Sequence, residues 1–137
     1  MTQVFISAAW SRREEARKLA EDLEEQGVYV KAQWLYEKPA QPGHEESHVI
    51  DMIYQDLRDI RDCNVFVRLA DNLSEATVPS HLATGARMFE QGIAWGMSKE
   101  IIVVGGKQMI YDHMRNVQHV KDTLELRSVL CPIPTLQ

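Results

Sequence analysis

Nowhere in the 137 residues does an apolar run approach the ~20 residues that a helix needs to cross a bilayer, so no membrane-spanning segment is expected. The first residues lack a basic flank leading into a long apolar stretch. No secretory signal is therefore expected, and the chain reads as cytoplasmic. Positive charge is also scarce: 15 Lys and Arg stand against 20 Asp and Glu, a net charge of −5. That leaves no basic footprint for a nucleic-acid polymer, whereas a small phosphorylated ligand held by a few local donors remains compatible. Cysteine is almost absent. Cys63 and Cys131 follow no metal or redox spacing and read as small buried hydrophobes. The histidines show no ligand spacing beyond the gap from His44 to His48, which straddles a loop and a helix start, so no metal is expected. Internal repeats and low-complexity segments are missing too.

What is present fits one domain over residues 1–137, long enough to bury a proper core. Val4-Phe5-Ile6 reads as a strand, and Ser11 with Glu14 as a capping box opening a helix whose Ala16, Leu19, Ala20 and Leu23 share one face. Gly27 suits a left-handed stop, and residues 28–34 return to strand character before a loop over 37–45. Val49, Ile50, Ile53, Leu57 and Ile60 have helical spacing, and residues 65–69 form the next strand. A polar stretch over 71–80 precedes a helix over 84–98, a strand over 101–104 and a weaker helical stretch over 109–115. Beyond Val120 the chain is least readable, since Pro132 and Pro134 forbid a regular helix there. This alternation predicts an α/β fold: a flavodoxin-like three-layer sandwich with a four- or five-stranded, mostly parallel sheet and helices on both faces. Its ligand crevice would lie beyond the carboxyl ends of the strands.

Two carboxylates break the pattern. Glu90 falls within the stripe formed by Ala86, Phe89, Ile93, Ala94 and Met97, and Asp56 lies on the apolar side of its own helix, between Ile53 and Ile60. A carboxylate aimed at a core is paired, protonated or placed at the lip of a crevice. Taken singly, each suits a structural ion pair. Two of them on neighbouring helices suit glycosidic chemistry, which needs a nucleophile and a group that manages the leaving group's proton. The loop Ser7-Ala8-Ala9-Trp10-Ser11-Arg12-Arg13 sets hydroxyls and cations at a strand end and a helix start, where an anion such as phosphate is favoured. Thr84-Gly85-Ala86 opens the Glu90 helix in the same manner; in both places a plain helix cap is the alternative.

Val4 to Trp10, Asp56-Leu57-Arg58-Asp59-Ile60 and Gly85-Ala86-Arg87-Met88-Phe89-Glu90-Gln91-Gly92-Ile93-Ala94 together resemble the nucleoside 2-deoxyribosyltransferase superfamily, over most of residues 4–104. The superfamily includes transferases that exchange bases on deoxyribose and hydrolases of nucleoside 5′-monophosphates. The resemblance implies that Glu90 is the nucleophile, that Asp56 contacts the base and assists its protonation, and that Trp10 walls the base pocket. Ser7, Ala8, Ala9, Ser11, Arg12, Thr84, Gly85 and Arg87 would complete the substrate site. It also implies no cofactor, a small nucleoside or nucleotide as partner, and a homo-oligomer, a dimer or larger. Thr84 stands where transferases carry an aspartate for the sugar 5′-hydroxyl, and a hydroxyl residue there touches phosphate in the nucleotide hydrolases. Met109 and Asp112 stand where relatives that complete a neighbour's site often have Asn and His. The alternatives are base exchange, a catalytically silent nucleotide-sequestering module and, because the first motif also resembles the start of a TIR domain, cleavage of NAD.

Overall fold

The computed structural model describes residues 2–70, 85–106 and 110–131. Thr84, Met109, the loop over 71–83, Pro132 and Pro134 lie outside the described residues.

Five strands form one sheet: β1 (Gln3–Ser7), β2 (Tyr29–Val30), β3 (Val65–Leu69), β4 (Glu100–Val104) and β5 (Val117–Val120). Their order is β2-β1-β3-β4-β5, and every pair is parallel. Among the described residues four α-helices cover it: α1 (Arg13–Glu25), α2 (Glu45–Asp62), α3 (Gly85–Gly96) and α4 (Thr123–Leu130). An ion pair from Arg127 to Asp22 joins α4 to α1, while α2 packs on α3, so the helices form two layers around the sheet. The expected flavodoxin-like sandwich is the observed fold.

The central strands are continuous apolar runs because both of their faces are covered. All five residues of β3 are buried, and Phe5 stacks on Phe66 with ring centroids 5.7 Å apart. On α1 the four predicted core residues are all buried. Gly27 ends that helix with φ +89°, a conformation that costs other residues energy.

Several expectations are corrected. The predicted cap at Ser11 is replaced by a short 3-10 helix, Trp10–Arg12, in which the Arg12 N–H is satisfied by the Ala9 carbonyl at 2.8 Å. No side chain caps α1, whose first turn carries Glu14 and Glu15 against the helix dipole instead. The strand expected over 28–34 shrinks to Tyr29–Val30, because a 3-10 helix, Gln33–Tyr36, turns Trp34 and Leu35 into the core. Val49, Ile50 and Ile53 of α2 are exposed, as are Ala86 and Phe89 of α3 and Met97 just beyond it. Of the expected stripes Ile60 and Ala94 are buried, and the unexpected Asp59, Arg87 and Gln91 are buried with them. The weak helical stretch is a 3-10 helix, Ile110–His113, and β5 and α4 follow it before the prolines. No described helix is long and apolar enough to cross a membrane.

Candidate active site

Parallel strands all present their carboxyl ends on one edge of the sheet, where the helix starts supply donors. Ser7, the last residue of β1, is buried there, and its hydroxyl donates to Glu90 Oε1 at 3.2 Å. The contact joins residues 83 apart and fixes Glu90, in the first half of α3, against the end of β1. Burial raises the Glu90 carboxyl to about 7, the Asp56 charge adds to this, and the Ser7 hydrogen bond and the Arg87 charge oppose it. Among the described residues no Lys or Arg forms a salt bridge with Glu90.

Asp56 arrives from α2. Its carboxyl is also raised to about 7, first by burial and then by the charges of Asp59 and Glu37. Its Oδ1 is buried, with no hydrogen-bond partner among the described residues. The two carboxylates singled out in the sequence are thus brought together, although several stripe mates of each are exposed.

Two tryptophans stand at the end of β1. Trp34 donates its indole N–H to the Ile6 carbonyl at 2.7 Å, and its ring lies 6.3 Å from that of Trp10. Trp10 is 58% exposed, with the Arg13 guanidinium 4.4 Å over its ring. Arg13 is tied in turn to the Glu37 carbonyl at 2.8 Å.

The other expected site residues are less uniform. Ala8 and Ala9 are half-buried beyond β1, and Ser11 is exposed. Arg12 reaches Glu15 through two bonds and the Ala70 carbonyl at 2.5 Å, a strut from the first loop to the end of β3. Gly85 starts α3. Arg87 is buried, near enough to Glu90 for its charge to act there. Asp112 turns inward and pairs with Arg68 at 2.6 Å, both side chains fully buried.

Sequence reasoning missed that pair, together with Gln91 and His119, which bond to Asp112. The signal was an arginine within Val-Phe-Val-Arg-Leu, where a strand buried on both faces leaves it no route to water. It also missed Trp34 and Asp59, whose positions depend on the 3-10 helix. Across α3 from Glu90 lies an apolar cavity of about 460 Å³, lined by Met88, Phe89, Trp95, Tyr111 and Met114 among others. Among the described residues no carboxylate lines it, whereas Glu90 and Asp56 lie on the Ser7 side of the helix.

No family model and no curated protein sequence matches the chain. Solved structures do. A 2-deoxyribosyltransferase from the psychrotolerant bacterium Bacillus psychrosaccharolyticus superposes with a TM-score of 0.68 at 11% identity, covering 98% of this chain and 100% of that one. CMP N-glycosidase BcmB from Clostridium botulinum gives a TM-score of 0.57 at 22% identity, covering 94% of this chain and 98% of the other. The resemblance read from the three sequence motifs therefore holds at the level of the fold: this chain has the fold shared by that deoxyribosyltransferase and that N-glycosidase.

Proposed function

We propose that this protein breaks the N-glycosidic bond of nucleosides or nucleoside 5′-monophosphates through a covalent glycosyl-Glu90 intermediate, with hydrolysis of monophosphates favoured. The observation that carries this reading is the proximity of two half-buried carboxyls near neutrality, one held by Ser7 and, among the described residues, neither in a salt bridge with a basic side chain. A sequestering module has no use for such a pair.

The chemistry needs one carboxylate and one carboxylic acid at the same time. Their mutual repulsion favours the singly protonated pair at neutral pH, because adding the second charge beside the first is costly. Ionised Glu90 attacks C1′, the bond from C1′ to the base nitrogen breaks, and the base leaves with the proton of Asp56. Water then attacks C1′ of the glycosyl ester, Asp56 takes the water's proton, and Glu90 is released as a carboxylate. Two displacements retain configuration at C1′.

The preference for a monophosphate rests on Thr84. An aspartate there would repel a phosphate at about 4 Å by roughly 4 kcal/mol at an effective dielectric near 20, and threonine removes that charge. Ser11 and the amides at the start of α3 remain as donors. A homo-oligomer is supported by the exposed apolar side chains of Val49, Ile50, Ile53 and Tyr54 on α2 and of Phe89 and Trp95 on α3.

The test is chromatography of free base from a panel of nucleosides, their 5′-monophosphates and NAD, with and without an acceptor base. Base release from a monophosphate into water, lost in Glu90→Ala and weakened in Thr84→Asp, is expected. Activity in Glu90→Ala within about tenfold of wild type refutes the nucleophile. A nucleoside preferred over its monophosphate, with reaction dependent on added base, makes the protein a transferase.

A further inference from the structure

Asp56 stands between two other carboxyl groups, acting on Glu90 and acted on by Asp59, and the hydrogen-bond donors are shared among the three unequally. Asp59 is fully buried on α2 and takes two: the Gln33 backbone N–H on Oδ2 and the Gln55 side-chain amide on Oδ1, each at 2.9 Å. Glu90 takes the Ser7 hydroxyl. Asp56, one turn before Asp59, has none on its buried Oδ1. Hydrogen bonds from N–H groups favour a carboxylate over a carboxylic acid, so the allocation of donors decides which group keeps a proton.

We propose that Asp59 is a positioning residue of this site: its carboxylate, fixed by Gln33 and Gln55 one turn from Asp56, keeps on Asp56 the proton that the departing base requires. The inference rests on the N-glycosidic reading for its purpose but not for its geometry.

The surroundings agree. From α3, Glu90 faces Asp56, with the Arg87 charge acting on Glu90. From the segment after the 3-10 helix comes Glu37, whose carbonyl holds Arg13 and whose carboxylate lies 3.5 Å from His48. From β1 the contribution is the Ser7 hydroxyl, already given to Glu90. Burial is the largest influence raising Asp56, and Asp59 is the first charge to add to it, ahead of Glu37. Asp59 also links α2 to Gln33, so the charge is held at constant separation from Asp56, and Trp34, the next residue, is buried against β1.

The experiment follows the Asp56 carboxyl carbon by NMR in the full chain labelled with 13C-aspartate, the signal being assigned by its loss in Asp56→Asn. In wild type the titration midpoint should lie near 7. In Asp59→Asn, which keeps the size of the side chain, it should fall by about 1 pH unit or more, the usual effect of removing a charge this close. The alkaline limb of base release should move down with it. Asp59→Glu, which restores the charge, should return the midpoint toward neutrality. If Asp59→Asn does not fold, Asp59→Ser gives the same reading. An Asp56 midpoint unchanged by loss of the Asp59 charge, or already below pH 5 in wild type, overturns the proposal. The titration needs no substrate, so a panel with no base release would refute the N-glycosidic reading and leave the Asp59 result to stand or fall by itself.

Discussion

Replacing Glu90 by Gln keeps the shape of the side chain and an acceptor for the Ser7 hydroxyl, but removes a charge that the fold buries. The folded-state pKa lies above that of the unfolded chain, so the folded protein holds the extra proton. Wild-type stability therefore falls as pH rises from about 4.5 through about 7, and the loss is complete above that window. At ~1.4 kcal/mol per pH unit this interval corresponds to roughly 3 kcal/mol. Glu90 is only half-buried, and screening by water brings the expected figure to about 2 kcal/mol. Glu90→Gln should then be the more stable protein at pH 8.5, melting roughly 6–8 °C higher, and should match wild type at pH 4. Thermal unfolding across that pH range is the assay. A variant no more stable than wild type at pH 8.5, or one with the same gain at both ends, would refute the reading of Glu90 as a strained ionisable group.

Three further outcomes are expected. Asp56→Asn should slow base release most for poor leaving bases, measured as kcat/KM across a series of bases, because the lost proton assists departure and not attack; equal slowing throughout would mean that Asp56 only positions substrate. Arg68→Met leaves Asp112 buried without its cation and should cost about 3–5 kcal/mol in urea unfolding, and a loss under 1 kcal/mol would show that the pair is replaceable. Gly105→Ala puts a Cβ 3.1 Å from that of Ala70 at φ +109° and should destabilise by about 1–3 kcal/mol, read from the same curves.

The sheet was legible because its strands are buried on both faces: Val4-Phe5-Ile6 and Val65 to Leu69 allow no other placement that hides so much apolar surface. Helix α1, half-exposed, displayed its face through Ala16, Leu19, Ala20 and Leu23. Periodicity failed on α2 and α3, where exposed Ile53 and Phe89 mimic a core stripe and the buried face carries Asp59, Arg87 and Gln91. Apolar spacing marks which residues avoid water, whether beneath the helix or on a surface left for another partner. Glu90 and Asp56 were found because a charge inside an apolar stripe is conspicuous. Asp59 was not, since nothing in its neighbours announces that Gln33, distant in the chain, will donate to it. The Arg68–Asp112 pair escaped notice because its partners lie 44 residues apart, on elements with no shared pattern.

The position of β1 governs the order in which the protein can be made. Of the five strands this one precedes the others in the chain, yet in the finished sheet it lies between β2 and β3. A nascent chain can dock Trp34 on Ile6 early, but the contact of Ser7 with Glu90 closes a loop of 83 residues and must wait for α3. Any fragment ending before residue 90 thus lacks the nucleophile proposed for the reaction. It also leaves β3 without β4, an apolar strand with one open edge and a template for pairing with other chains. The proposed reactivity and protection against aggregation would then be acquired together, late in synthesis, as α3 and β4 close over the sheet.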